Sequence, residues 1–223
     1  MSQITENIKE IKESLPDGVR LVAVSKYHTV EAIQEAYNAG QRIFGENKVQ
    51  ELLQKYPALP NDIEWHFIGH LQRNKVKMIV PFISLIHSID SPRLLAEVNN
   101  AAVKVGRVVD CLLQIHIAQE ETKYGFSIDE CNEFLKGGEW KNFDYVRICG
   151  VMGMATFTDD ETKVREEFDI LKQFFDRIKI SYFPNIEYFR EISMGMSEDY
   201  PIAIKAGSSM IRVGSYIFGP RIY

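Results

Sequence analysis

VRLVAVS (residues 19–25) is an apolar run of strand length that breaks off at Lys26, and seven further runs of the same kind follow it. They are RIFG (42–45), IEWHFIG (63–69), LIHSI (85–89), VVDCLLQIHI (108–117), VRICGVMGM (146–154), YFREISMG (188–195) and MIRVGSYIFG (210–219). Runs with little polar alternation are the mark of strands buried on both faces. The segments between them carry a helical period. Val30, Ile33 and Tyr37 form one stripe closed by Gly40, and Val49, Leu52 and Leu53 lie in the next. Leu94, Leu95, Val98 and Ala102 follow Ser91-Pro92, an N-cap and first-turn pair. Val164, Phe168, Leu171, Phe175 and Ile178 make the longest stripe. Alternating strands and helices imply parallel βαβ connections. Eight such units predict an α/β fold, a TIM-like (β/α)8 barrel, with a doubly wound open sheet as the alternative. Ahead of the first strand, Ile4, Ile8, Ile11 and Leu15 mark an extra amphipathic helix, stopped by Pro16-Asp17-Gly18. No linker or low-complexity tract divides the chain, so a single domain is expected over 1–223.

Composition narrows the class. With 45% hydrophobic residues in 223, the chain has ample material for one sizeable core. Twenty-six basic against 31 acidic residues give a net charge of −5, which argues against a dedicated nucleic-acid binder. The local basic cluster Arg73-Asn74-Lys75-Val76-Lys77 reads as a solvated helix face. Cys111, Cys131 and Cys149 are odd in number, widely spaced and without a CxxC, which fits neither a disulfide framework nor a zinc site. The N-terminal MSQITENIKEIKESL is not a signal peptide, and no apolar stretch is long enough to span a bilayer. A soluble cytoplasmic protein with no nucleic-acid or membrane partner is expected. Without a long exposed apolar seam, it is expected to be a monomer.

Barrels of this type place their chemistry at the C-terminal ends of the strands and often hold phosphate in the loops after strands seven and eight. Three segments meet that rule: Lys26 at the end of strand one, Ser193-Met194-Gly195-Met196-Ser197 at the end of strand seven, and Arg212-Val213-Gly214-Ser215 at the end of strand eight, if that strand is centred on Met210 to Val213. Gly195 and Gly214 let backbone N–H groups approach an anion, and Ser193, Ser197 and Ser215 add hydroxyls. Asp199-Tyr200-Pro201 looks like a helix start at the same spot. The plain alternatives are ordinary βα loops and a surface lysine whose stem snorkels. A desolvated lysine, by contrast, condenses with aldehydes. An amine beside an anion cradle fits an aldehyde that carries a phosphate. His66 and His70 are four apart but fall in WHFIGH, a strand ended by Gly69, so no metal site is expected. Asp159, Asp160 and Glu161 are accounted for by capping the next helix. Neither GxGxxG nor GxxxxGK[ST] occurs.

AVSKYHT (23–29), FGENKVQE (44–51), WHFIGHLQRNK (65–75), GVMGMAT (150–156), SMGMSEDY (193–200) and RVGSYIFG (212–219) together closely resemble the pyridoxal-phosphate homeostasis protein family, in order and over nearly the whole chain. The family is similar in fold to the barrel domain of alanine racemase. The resemblance implies pyridoxal 5′-phosphate (PLP) as cofactor, held by Lys26 as a Schiff base. Ser193, Met194, Gly195, Ser197, Gly214 and Ser215 would hold its phosphate. It implies Arg212 near the ring nitrogen or the phosphate, the nitrogen being preferred, and Asn47 on the pocket wall with His66 and Met152 behind. Lys48 is a mild departure that touches none of these contacts.

The same resemblance implies a PLP carrier or regulator, with PLP-dependent apoenzymes as recipients and no established catalytic residue. The alternative it leaves is a PLP-dependent amino-acid racemase or related enzyme using Lys26 as base. An arginine at the ring nitrogen weakens the electron sink without excluding such chemistry. The chain ends at Tyr223, so the β-rich second domain of a racemase is not expected. From the residues alone a third reading stands, a barrel aldolase whose lysine attacks a phosphosugar.

Overall fold

The computed structural model describes residues 2–119 and 124–219; the expected chain end at Tyr223 lies outside them. In order the elements are α1 (Gln3–Ser14), β1 (Arg20–Val24), α2 (Val30–Asn38), β2 (Ile43–Glu46), α3 (Val49–Lys55), β3 (Glu64–Phe67), α4 (Val76–Ile79), β4 (Leu85–Ile89), α5 (Pro92–Val105) and β5 (Val109–Gln114). Then come α6 (Ile128–Gly137), β6 (Val146–Met152), α7 (Glu161–Tyr182), β7 (Glu191–Ser193), α8 (Tyr200–Lys205), β8 (Met210–Val213) and α9 (Ser215–Phe218). The strands pair in parallel, each with the next, and β8 closes onto β1 with Val22 opposite Arg212. Closure rules out the open sheet.

Successive strand residues face opposite sides, and this separates two cores. Outward residues such as Leu21, Phe44, Trp65, Ile86, Ile148, Ile192 and Ile211 pack with the helices into one large cluster. Val22, Leu85, Leu112, Cys149, Met152 and Met210 form a second, smaller cluster inside the barrel.

The helices start where the caps place them. Ser91 accepts the Leu94 N–H at 3.3 Å with Pro92 in the first turn. Asp160 accepts the Thr162 and Lys163 N–H groups at the head of α7. That helix buries Phe168, Leu171, Phe174, Phe175 and Ile178, each contributing about 1.5–3 kcal/mol relative to exposure. Ile8 and Ile11 bury the inner stripe of α1, and Asn7 Nδ2 donates to the Tyr216 and Ile217 carbonyls of α9 at 2.8 and 3.2 Å. No helix among the described residues is long and apolar enough to cross a membrane.

Most strands are shorter than their apolar runs, and the last two are less than half as long. MIRVGSYIFG is strand only to Val213; the Gly214 carbonyl then accepts the Ile217 and Phe218 N–H groups, and the run turns helical. A continuous apolar run does not by itself distinguish these states. YFREISMG gives only Glu191–Ser193, because Phe189 is drawn outward to stack on Phe183 at 4.0 Å and Phe175 at 5.0 Å.

Candidate functional site

A cavity of about 780 Å³ opens at the C-terminal ends of the strands, with Lys26, Asn47, Ser197, Arg212, Gly214 and Ser215 in its lining. Its size lies in the range of small-molecule and cofactor pockets.

Lys26 stands two residues beyond β1 and is half-buried. The turn that carries it is strapped from below. Ser25 N–H donates to the Gly45 carbonyl at 3.0 Å and His28 N–H to the Ser25 carbonyl at 3.1 Å. Tyr27, in the left-handed region at φ 67°, donates its N–H to Glu51 Oε1 at 2.6 Å. Behind it Lys55 Nζ donates to the Ser25 carbonyl, Glu46 Oε1 and Glu51 Oε1 at 2.7, 2.7 and 2.6 Å. Ser25 Oγ donates to Glu46 Oε1 at 2.6 Å. Burial pushes the Glu46 carboxyl up to about 7, with Lys55 and Ser25 pulling against it. A buried charge cluster thus fixes the backbone on either side of Lys26.

Asn47 follows β2, and its Oδ1 is buried without a hydrogen-bond partner among the described residues. Gly69 packs against it so closely that a Cβ there would lie 2.3 Å from the Asn47 carbonyl oxygen. Only a glycine fits beside Asn47.

Arg212 is 4% exposed. It donates from Nη1 to Ser193 Oγ at 2.6 Å and from Nη2 to the Gly153 carbonyl at 3.1 Å. Burial lowers its pKa to about 10, opposed by Asp199, so it remains charged at neutral pH. No ion pair to it occurs among the described residues. Asp199 instead accepts the Met196 N–H at 2.5 Å, and burial raises its own pKa. Next to Arg212 the two loops meet: Ser197 Oγ accepts the Gly214 N–H at 3.3 Å and lies 3.2 Å from Ser215 Oγ. Gly195 makes this turn at φ +95°.

The other expected residues lie elsewhere. Ser193, Met194 and Gly195 are buried and do not line the cavity. Ser193 faces the barrel interior, whereas the Met194 side chain joins the outer core. His66 and Met152 lie in the interior beneath the cavity, His66 bonded to His87 at 3.0 Å. His70 is exposed, paired with Asp90 at 3.1 Å and stacked on Tyr124 at 4.0 Å, so the two histidines do not converge. His87 and the Glu46–Glu51–Lys55 cluster escaped the sequence reading. The four-residue spacing of Glu51 and Lys55 was the available signal for the latter. Asp159, Glu161 and Glu198 form an acidic rim to the same cavity.

A lysine, a buried unpaired guanidinium and two hydroxyl-rich loops at one barrel mouth define a barrel of the alanine racemase N-terminal class, and the model of that domain matches residues 1–221. A pyridoxal phosphate homeostasis protein of Aquifex aeolicus is 35% identical over 227 residues, covering 100% of this chain and 97% of that protein. PipY of Synechococcus elongatus, in the structure with PLP bound, superimposes with a TM-score of 0.87 at 34% identity, over 97% of this chain and 100% of that one. Alanine racemase from E. faecalis shares the fold alone, with a TM-score of 0.74 at 15% identity over 98% of this chain and 58% of that one. The chain belongs to the pyridoxal phosphate homeostasis protein family.

Proposed function

We propose that this protein binds PLP at the barrel mouth, covalently through Lys26, and serves intracellular PLP homeostasis as a carrier rather than as a catalyst. The observation that carries this reading is Arg212, a buried guanidinium whose acceptors among the described residues are all neutral. A desolvated charge without a counter-ion is costly, and an anion or ring acceptor in the cavity relieves that cost. Asn47 Oδ1 offers a second unmet group, an acceptor in need of a donor. Both needs fit PLP, whose phosphate and ring nitrogen accept from a guanidinium and whose phenolic hydroxyl can donate to an amide oxygen.

When bound, the cofactor supplies an aldehyde and an electron-withdrawing ring. The chain's own residues divide the remaining work. Lys26 presents its amine from a turn that the Glu46–Lys55–Glu51 cluster holds still. Ser197, Gly214 and Ser215 form the phosphate cradle. Arg212 addresses the ring nitrogen; a guanidinium has only donors, so the nitrogen it meets is unprotonated. An unprotonated ring is a weaker electron sink, which favours holding PLP over turning it over. PLP-requiring apoenzymes are the natural recipients, and the working form is a cytoplasmic monomer.

Incubation of the protein with PLP, borohydride reduction and peptide mass mapping tests the site. The expected label falls on Lys26 and disappears in Lys26→Ala, and a label on another lysine overturns the assignment. Racemisation of any amino acid well above the Lys26→Ala background overturns the carrier reading.

A further inference from the structure

Behind Arg212 runs a line of polar side chains that the cofactor contacts do not use. Arg212 Nη1 donates to Ser193 Oγ at 2.6 Å, Ser193 Oγ lies 2.9 Å from His87 Nδ1, and His87 Nε2 lies 3.0 Å from His66 Nδ1. The four residues sit on β8, β7, β4 and β3, so the line crosses the barrel interior from one wall to the opposite one. All four are at most 4% exposed.

We infer that Ser193, His87 and His66 are positioning residues that act as a one-way hydrogen-bond brace, fixing the direction in which Arg212 presents its remaining donors to the cavity. The inference rests on the PLP reading of that cavity. The direction follows from the donor inventory. A guanidinium has no acceptor, so Ser193 Oγ must accept from it. If the Ser193 hydroxyl then donates to His87 Nδ1, a neutral His87 carries its proton on Nε2 and donates to His66 Nδ1, and His66 carries its proton on Nε2. Every bond is made once. In the reverse order His87 Nδ1–H would donate to the second lone pair of the oxygen that accepts from Arg212. The serine proton would then have no acceptor among the described residues, and both imidazole dipoles would point their positive ends at the cation. Burial keeps both rings neutral, and the Arg212 charge opposes protonation of His87 further.

A core histidine pair with no bearing on the cavity would pack equally well, so the test needs readouts that packing does not move. In the ligand-free wild type, ¹⁵N NMR of labelled histidines should show His66 and His87 both as neutral Nε2–H tautomers. An Nδ1–H tautomer on His87 overturns the direction. With PLP added, His87→Leu should weaken binding about fivefold to tenfold and shift the absorption band of the bound cofactor. His87→Gln can accept from Ser193 and donate to His66, and it should restore both to near the wild type. If the Leu and Gln variants, both folded, bind PLP alike with the wild-type spectrum, the brace is refuted. Should His87→Leu fail to fold, the Gln variant's spectrum and the wild-type tautomers still decide. Failure of the wild type to take up PLP sinks the cofactor reading instead, and the tautomer result stands apart from it.

Discussion

Lowering the pH from about 7.5 to about 5 perturbs the barrel interior through its two buried imidazoles. Burial holds His66 down to about 3, from the ordinary 6.5, and His87 lies well below 6.5 for the same reason, reinforced by His66, Arg212 and Arg20. Both folded-state values are depressed, so the unfolded chain takes up protons below 6.5 that the folded chain refuses. Stability contributed by the neutral rings is complete above 6.5 and is lost as pH falls towards the folded values. At about pH 5, each imidazole that stays neutral costs RT ln(1 + 10^1.5), about 2 kcal/mol. Glu46 acts in the opposite sense. Its folded pKa is raised to about 7 from 4.5, so the folded state binds the extra proton across that window and gains stability as pH falls. By the same arithmetic that gain is about 2 kcal/mol between about pH 7 and 5. The wild-type curve therefore records a difference, and variants separate its parts. Urea unfolding of ligand-free wild type and His87→Leu should be measured at both pH values, with the urea dependence of unfolding unchanged. His87→Leu should be destabilised at about pH 7.5, since it strands Ser193 and His66. At about pH 5 that penalty should be about 2 kcal/mol smaller, because one imidazole no longer resists protonation. A penalty equal at the two pH values would refute the claim that His87 is held neutral by its surroundings.

Other parts of the structure yield simpler expectations. Lys55→Met leaves Glu46 and Glu51 facing each other without a cation, and should cost about 3–5 kcal/mol in urea unfolding; Glu46→Gln in that background should recover part of the loss. Gly195→Ala forces a side chain into φ +95° with its Cβ 2.6 Å from that of Ala203. It should lose about 1–2 kcal/mol or more and retain less PLP in equilibrium dialysis. Asp160→Ala removes the cap of α7 and should cost about 1 kcal/mol. Its hydrogen exchange should quicken at the start of that helix, with PLP uptake unchanged.

The fold was legible because its two periods are written plainly. VRLVAVS and LIHSI lack polar alternation, and Val164 to Ile178 keeps a helical stripe through α7. Boundaries were less legible where apolar character continued through a change of conformation, as at Gly214. The site divides in the same way. Lys26, Arg212 and the serine loops could be picked out from their place at strand ends, because strand ends are local features. The contacts behind them join residues far apart in sequence: Ser193 meets His87 across 106 positions, and Lys55 meets the Ser25 carbonyl across 30. No short-range spacing encodes such pairs. His87 in particular reads as a polar interruption of a strand until barrel closure brings β7 opposite β4.

Charge at the mouth shows why the interior contacts matter to function. The cavity carries carboxylates at its rim and cations at its floor, so the sum of charges does not say what binds. Depth does. Asp159, Glu161 and Glu198 are exposed, in water where the effective dielectric is high and salt screens beyond about 8 Å. Arg212 is buried, and its field acts on a ligand through a medium of much lower effective dielectric. An anion that reaches the floor therefore answers to Arg212 and Lys26 more than to the rim. For that preference to be specific, the guanidinium must not swing. The structure supplies the restraint from inside the barrel, through Ser193 and the Gly153 carbonyl, and restrains Lys26 from outside it, through Glu51, Lys55 and Glu46. These two basic side chains of the cavity are thus held by separate networks on opposite faces of the sheet. Damage to one should alter cofactor binding without dismantling the other.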